Sequence, residues 1–152
     1  MKRIIYVLIL LLACSTVKSQ SYPSGSISDY VPETAVSGGF GMGGSSVFGG
    51  NLELMFLPKI SAQLGAGIDG FSGAINYHFY PTVSSPFLSL QVWQSGTGNR
   101  YKASYVGPIF QYRANRLFQA GIGLGRLIDK KKDYEPKSNF VLSLNLGLYF
   151  QL

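Results

Sequence analysis

The final segment of the chain alternates between two kinds of side chain. From Phe140 to Leu152 every second residue is large and apolar, and the residues between them are mostly small or polar. Because successive side chains of a β-strand point to opposite faces of the sheet, this pattern predicts a strand with one apolar and one mostly polar face. A helix would repeat its apolar residues every three to four positions instead. The segment therefore restricts the chain to a β fold whose strand faces differ in polarity.

Seven earlier segments follow the same rule, so the sequence predicts eight strands. Gly, Pro, Ser, Asn and Asp residues separate the segments. The apolar faces of these segments comprise Val36, Phe40 and Met42; Phe48, Leu52, Leu54 and Phe56; Ile60, Ala62, Leu64, Ala66 and Ile68; Phe71, Ile75, Tyr77 and Phe79; Leu88, Leu90 and Val92; Val106, Pro108, Phe110 and Tyr112; and Phe118, Ala120, Ile122 and Leu124. Pro108 lacks a donor for the sheet ladder, and we expect it to mark a β-bulge.

The composition indicates which face points inward. Charged residues make up 13% of the chain, against roughly 25% in soluble domains. If the apolar faces formed a core, the outer surface would carry too few charges for a protein in water. An apolar exterior facing lipid fits better, and a sheet in lipid must close because unpaired backbone groups are costly there. We therefore predict an all-β protein, a closed eight-stranded antiparallel transmembrane β-barrel over residues 34–152.

Residues 1–19 are predicted to be a secretory signal peptide. Two basic residues precede an apolar stretch from Ile4 to Ala13, and small polar residues follow it. The apolar stretch is too short for a membrane anchor, and cleavage is expected before Gln20. Residues 20–33 contain two prolines and are expected to form an irregular periplasmic lead-in.

The charge and the glycine pattern argue against several function classes. Loss of Lys2, Arg3 and Lys18 with the leader lowers the formal charge from +6 to +3, which is too weak an excess to indicate a nucleic-acid partner. The glycine-rich runs at 38–41 and 121–125 fall within predicted strands, where they suit a tightly curved barrel better than a phosphate-binding loop. No cofactor and no metal site are expected.

The strand count, the alternation and the closing sequence Leu148-Tyr149-Phe150-Gln151-Leu152 resemble the small outer-membrane β-barrel proteins of Gram-negative bacteria. The Gly- and Tyr-rich style with a mature start at Gln20 is similar to barrels of the Bacteroidetes group. The resemblance implies an outer-membrane location, with outer-membrane lipid, lipopolysaccharide and other outer-membrane proteins as partners. Leu148, Phe150 and Leu152 are similar to the C-terminal signal recognised by the barrel-assembly machinery, although that signal usually ends on an aromatic residue.

The parity of the strands predicts an orientation. With both termini in the periplasm, the links at 57–59, 81–85 and 114–116 face the periplasm, and the links at 43–46, 69–70, 95–103 and 129–138 lie outside. The two longest links then fall outside, as is usual for such barrels.

The polar phase of the strands predicts a set of interacting polar side chains inside the barrel. Its members are Glu53, Gln63, His78, Gln91, Gln111, Arg113 and Asn145. Glu53 and Arg113 could pair there, either as a plug that satisfies buried charges or as a gating pair, and the narrow lumen of eight strands favours the plug. His78 could be a general base in a lipid A-modifying barrel, but it lacks a serine two residues later, so a hydrogen-bonded lumen residue is favoured.

Five basic residues form a candidate external contact region, namely Arg100, Lys102, Lys130, Lys131 and Lys132. They could contact anionic lipopolysaccharide or a protein partner, and the plainer alternative is a solvated pair of loops.

Three functions remain open on these grounds. The first is a structural or interaction protein with a closed lumen, alone or as a subunit of a larger envelope complex. The second is a narrow channel for small solutes or ions, and the third is a lipid-modifying enzyme. The predicted filled lumen and the lack of a catalytic motif favour the first.

Cys14, the sole cysteine, gives an alternative for the N-terminus, because Leu11-Leu12-Ala13-Cys14 resembles a lipoprotein processing site with a bulky Leu12. We expect the intact mass of the mature protein to correspond to a chain that begins at Gln20. A mass that matches a diacylglyceryl-modified Cys14 at the N-terminus would refute this prediction.

Overall fold

The computed structural model describes residues 32–45, 47–114, 117–136 and 138–152, so the predicted signal peptide and most of the lead-in lie outside the described residues. Eight strands make up most of the described chain. They are β1 (Glu33–Phe40), β2 (Gly49–Leu57), β3 (Ile60–Gly67), β4 (Gly70–His78), β5 (Phe87–Ser95), β6 (Ala103–Ala114), β7 (Phe118–Lys130) and β8 (Phe140–Gln151). A short helical turn, Met42–Ser45, follows β1, and a 3₁₀ turn, Gly98–Arg100, precedes β6.

The strands form one closed antiparallel barrel in sequence order. Each strand pairs with the next along the chain, and β1 pairs with β8 so that Val36 lies opposite Phe150. This confirms the predicted closed eight-stranded antiparallel β-barrel. Strand β1 begins at Glu33, one residue before the predicted start of the barrel.

Most of the large apolar side chains of the strands lie on the outside of the barrel. In β8, for example, Leu142, Leu144 and Leu146 are 60%, 61% and 51% exposed, while Tyr149 on the other face is 1% exposed. The interior therefore receives the small, polar and a few aromatic side chains, in the phase that the alternation predicts.

The two ends of the barrel are closed by different links. We call the end that holds the start of β1 and the end of β8 the near end, and the opposite end the far end. At the near end the link from β4 to β5 places Val83 over the lumen with no exposed surface, against Ala35 and Met55. The Glu33 carboxylate holds this link, because its Oε2 accepts a hydrogen bond of 2.8 Å from the Val83 amide.

The far end is closed by the turn Met42–Ser45, which we call the inward turn. It contacts β2, β3, β4, β5 and β8, and the amide of Gly43 donates to Oδ1 of Asn51 at 3.2 Å. Gly43 and Gly44 have φ angles of 64° and 94°, and a Cβ on Gly44 would stand 2.4 Å from the amide nitrogen of Phe71. Glycine is required here both for the left-handed backbone and for the close approach to the wall.

The inward turn corrects two sequence predictions. Met42 was expected on the outward face of the first strand, but it is only 3% exposed and follows the end of β1. The first far-end link was expected over 43–46, whereas β1 ends at Phe40 and β2 begins at Gly49. Gly43 and Gly44, with their positive φ angles, allow the chain to turn into the lumen after β1 has ended at Phe40.

The expected bulge at Pro108 is also wrong. Pro108 lies opposite Leu90 in a regular register and faces outward. The irregularity of β6 lies between Ser104 and Tyr105, where the register with β7 shifts by one residue. The β6–β7 pairing has a gap at Gly107 and Pro108, but the register is the same on both sides of the gap, so the proline interrupts the ladder without forming a bulge.

An apolar cluster fills the far half of the lumen. It consists of Trp93, Ala103, Tyr105 and Ile109, and the rings of Trp93 and Tyr105 stack with their centroids 5.8 Å apart. Polar side chains occupy the middle of the lumen, so the interior is layered along the barrel axis.

The seam between β1 and β8 gives a prediction on stability. A Cβ on Gly39 would stand 2.2 Å from the carbonyl oxygen of Leu146, whereas a Cβ on the neighbouring Gly38 would meet Gly49 at an ordinary 3.6 Å. We expect Gly39→Ala to lower the free energy of unfolding by about 1–3 kcal/mol, because the seam must widen. Gly38→Ala is the matched control and should change it by less than about 0.5 kcal/mol.

Urea unfolding of the refolded protein measures both variants. Equal stabilities for the two variants would contradict the described packing of the seam.

Candidate functional site

The middle of the lumen contains a buried ion pair. Glu53 on β2 and Arg113 on β6 both point inward, are 1% and 5% exposed, and join strands on opposite sides of the barrel. Nη2 of Arg113 lies 2.7 Å from Oε2 of Glu53. The strand alternation brings both charges into the lumen, and the small diameter of an eight-stranded barrel lets them meet across it.

The other carboxylate oxygen of Glu53 accepts hydrogen bonds from two neighbouring strands. Oε1 accepts from the Ser61 hydroxyl of β3 and from Nδ2 of Asn76 of β4 at 2.8 Å. Nε2 of His78 lies 2.9 Å from the same oxygen and 3.0 Å from the Ser61 hydroxyl. Asn76 also donates to Oε1 of Gln63 at 3.1 Å. Ser61, Asn76 and His78 thus lie within hydrogen-bonding distance of one Glu53 oxygen, and Gln63 binds Asn76.

The Arg113 guanidinium has partners on its other sides as well. Nε donates to Oε1 of Gln119 at 3.1 Å, and Nη1 donates to the carbonyl oxygen of Val83. The Cζ atom of Arg113 lies 4.7 Å from the ring centroids of both Phe87 and Tyr149. Both rings therefore make cation–π contacts with the guanidinium. The guanidinium is therefore enclosed by acceptors and aromatic faces rather than by water.

Burial makes this network sensitive to the loss of any charged member. A buried charge without a partner is strongly unfavourable, whereas a pair with further hydrogen bonds recovers much of the desolvation cost. Glu53 and Arg113 neutralise each other and also bind uncharged partners. Removal of either residue therefore leaves the other charge buried without its counter-ion. We call Glu53, Ser61, Asn76, His78 and Arg113 the lumen network.

A small cavity lies between the lumen network and the inward turn. Its volume is about 10 Å³, and Gln91, Gln111 and Asn145 line it, which leaves room for about one water molecule. Gln111 is buried, and the ends of the Gln111 and Asn145 side chains both lie beside Gly121, where a Cβ would collide with them.

The structure therefore divides the seven predicted lumen residues into two groups. Glu53 contacts His78 and Arg113 directly, and Gln63 is linked to them through Asn76. Gln91, Gln111 and Asn145 make none of these contacts and line the small cavity, which Gln63 and Arg113 also border. Ser61, Asn76 and Gln119 also take part in these contacts but were not among the predicted site residues. All three stand in the inward phase of their strands, and that phase was the signal that could have found them.

The contact between Ser61, His78 and Glu53 differs from a catalytic triad. In a triad the two imidazole nitrogens contact different partners, the nucleophile and the acid. Here Nε2 of His78 contacts both Ser61 and Glu53, and Nδ1 has no hydrogen-bond partner among the described residues. His78 and Ser61 have no exposed surface, so the arrangement favours a structural role for the histidine.

The remaining predicted residues lie outside the lumen. Arg100, Lys102 and Lys131 are exposed at the far end and line a cavity there, while Lys130 and Lys132 are exposed but do not line it. Of the C-terminal signal residues, Leu148 and Phe150 are each 50% exposed on the outer wall, and Leu152 is half-buried, with its amide bound to the carbonyl of Thr34 at 2.9 Å.

Comparisons with protein-family profiles, curated proteins and solved structures gave no match. Among the described residues, no helix has the length and hydropathy needed to cross a membrane. In the same part of the chain, His, Cys, Asp and Glu side chains form no group of three or more that could hold a metal ion.

The lumen network gives a prediction that separates a plug from a gate. We expect Glu53→Ala to lower the free energy of unfolding by about 3–5 kcal/mol, because the Arg113 charge stays buried without its partner. Gln91→Ala is the control, because Gln91 lines the same lumen but makes no side-chain hydrogen bond among the described residues, and we expect a change below about 1 kcal/mol.

Urea unfolding measures the stabilities, and planar-bilayer recording tests for a pore. Neither variant should open a stable conductance, because the inward turn and Val83 still cover the two ends. A large stable pore in Glu53→Ala would contradict the plug.

Proposed function

We propose that the protein is a small integral β-barrel of a bacterial outer membrane with a structural or interaction role, alone or as a subunit of a larger envelope complex. The observation that carries this proposal is the apolar outer wall of a closed barrel. Exposed large apolar side chains occur on every strand, including Phe40, Leu54, Leu64, Ile75, Leu90, Phe110, Ile122 and Leu144.

This wall has the polarity expected for lipid rather than water. Soluble monomers rarely expose contiguous apolar patches larger than a few hundred Å². Here apolar residues encircle the barrel while the hydrogen-bonding side chains point inward, the reverse of a soluble barrel. The closed sheet also pairs its backbone groups between strands, as a span through hydrocarbon requires.

The charged residues are distributed accordingly. In the described strands, the charges that stand between the two rims are Glu53 and Arg113, which face the lumen, and Arg126, which faces outward. Arg126 lies in the far half of β7, where a long side chain reaches the water interface. The other described charges lie at strand ends or in links.

The closed lumen supports a structural or interaction role over a channel. The inward turn closes one end, Val83 closes the other, and the cavity between them has a volume of about 10 Å³. An ion with its hydration shell does not fit such a space. The lipid-modifying alternative has its one histidine, His78, fully buried and away from the lipid-facing wall.

The proposal includes the orientation and the partners that the sequence predicts. The near end faces the periplasm and the far end faces outward. Leu148 and Phe150 stand on the lipid-facing wall beside the seam of β1 and β8, where the barrel-assembly machinery would recognise them. Outer-membrane lipid and lipopolysaccharide surround the wall, and export depends on the predicted signal peptide.

A pair of substitutions on one strand tests the lipid-facing wall. Ile122 and Ile128 of β7 are 53% and 54% exposed, but Ile122 lies in the middle of the strand and Ile128 near its far end. In lipid, we expect Ile122→Arg to lower the free energy of unfolding by about 2–4 kcal/mol and Ile128→Arg by about 0–1 kcal/mol.

The measurement is urea unfolding in lipid vesicles, followed by the shift between unheated and boiled samples on a semi-native gel. The wild-type protein should show this shift and fractionate with outer membranes. In a water-soluble barrel both positions are equally exposed, so equal and small effects, with the protein in the soluble periplasmic fraction, would overturn the proposal.

A further inference from the structure

A second cavity, of about 540 Å³, lies at the far end of the barrel. The links from β5 to β6 and from β7 to β8 form its sides, and the turn at Asp69 contributes to its edge. This volume falls in the range of about 300–1,000 Å³ that is usual for sites of small ligands. The lumen network and the inward turn do not contribute to it.

Hydrogen bonds within the β5–β6 link, between the two links and to strand β7 hold the cavity in shape. The amide of Lys131 donates to the carbonyl of Lys102, and the amide of Lys102 donates to the carbonyl of Ser95, each at 2.9 Å. The Tyr101 hydroxyl donates to Oδ2 of Asp129 at 2.7 Å. Desolvation and the Asp129 carboxylate raise the pKa of the Tyr101 hydroxyl above its usual value, so it stays protonated as a donor.

The charged side chains that line the cavity are not engaged with one another. Arg100, Lys102 and Lys131 bring three positive charges, and Asp69 and Asp133 bring two negative ones. Within the described ranges none of these five forms an ion pair. Of these five side chains, only the Lys131 ammonium has a hydrogen bond to another described residue, a long one of 3.4 Å to the carbonyl oxygen of Asn99.

Two tyrosines complete the lining. Tyr101 and Tyr134 are half-buried and come from the two different links. Tyrosine rings provide flat apolar surface together with a polar tip, which suits a ligand that has both C–H faces and hydroxyl groups.

We propose that this cavity binds a sugar that carries an anionic group such as a phosphate. The guanidinium and ammonium groups would bind the anion through charge-assisted hydrogen bonds. The carboxylates would accept hydrogen bonds from sugar hydroxyls, and the tyrosine rings would pack against the sugar face. A bare anion makes poor use of the site, since Asp69 and Asp133 repel it.

This inference rests on the link residues alone and does not depend on insertion of the wall into lipid. The same chemistry occurs in free phosphorylated sugars and in the phosphorylated sugar headgroup of a membrane lipid. The two sources are distinguished by competition below.

The test is calorimetric titration of the full mature protein, refolded in detergent, with glucose 6-phosphate, glucose and inorganic phosphate. Glucose 6-phosphate should bind at least about tenfold more tightly than either of the other two, because it alone uses the cations and the hydroxyl acceptors together. No measurable binding of glucose 6-phosphate, or equal binding of phosphate alone, would overturn the proposal.

Matched double variants test the position of the site. Arg100→Gln with Lys131→Gln should weaken binding at least about tenfold, whereas Lys130→Gln with Lys132→Gln removes the same charge from residues outside the cavity and should weaken it less than about twofold. Equal losses in the two pairs would indicate general attraction to a basic rim and would refute a built site.

A single variant separates a sugar site from a simple anion site. Asp133→Ala should weaken binding of glucose 6-phosphate, because a hydroxyl acceptor is lost. Stronger binding in this variant would mean that the carboxylate only repels the ligand, which contradicts the proposal.

Two controls separate loss of binding from loss of folding and identify the source of the ligand. Each variant should keep the gel shift between unheated and boiled samples, so that lost binding is not lost folding. Competition with lipopolysaccharide in detergent micelles then identifies the source: displacement of glucose 6-phosphate by a lower concentration of lipopolysaccharide assigns the site to the lipid headgroup, and no displacement assigns it to a free sugar.

Discussion

The cavity between the lumen network and the inward turn has room for about one water molecule, and much of the interior arrangement follows from how narrow the lumen is. With so little room for water, polar atoms that point inward depend mainly on partners in the protein, although Nδ1 of His78 and Oδ1 of Asn76 have no hydrogen-bond partner among the described residues. Glu53 meets this requirement through Arg113 on one oxygen and through Ser61 and Asn76 on the other. The ion pair is thus a consequence of placing charge in a narrow closed sheet, and the residues around it are those that satisfy it.

The two closures of the lumen are connected through this pair. Arg113 donates to the carbonyl of Val83 in the near-end link and to the side chain of Gln119. Gln119 in turn donates to the sulfur of Met42 in the inward turn at 3.3 Å. A continuous set of contacts therefore runs from one closed end to the other by way of Arg113 and Gln119. This connection favours the structural role proposed above over a conducting one.

Much of the fold could be predicted from the period of the sequence alone. Alternation determines which side chains share a face, so the inward positions of Glu53 and Arg113 followed from it. Contacts between strands depend also on register, which the lengths of the links set, and so the meeting of Ser61 with His78 could not be predicted. The inward turn was missed because Gly43 and Gly44 permit many backbone paths, and only packing against the wall selects one.

Strand order along the chain also determines how this barrel can form. Seven of the eight pairings join consecutive strands and close short loops, while the pairing of β1 with β8 joins residues as distant as Ala35 and Gln151. Contacts of long sequence separation are slow to form, because the chain loses the entropy of a large loop before they stabilise it. Until that last pairing forms, the growing sheet has two unpaired edges that can join other chains. The pairing of β1 with β8 is therefore the folding step at which aggregation is most favoured. A catalyst that holds the first and last strands together would have its greatest effect on this step.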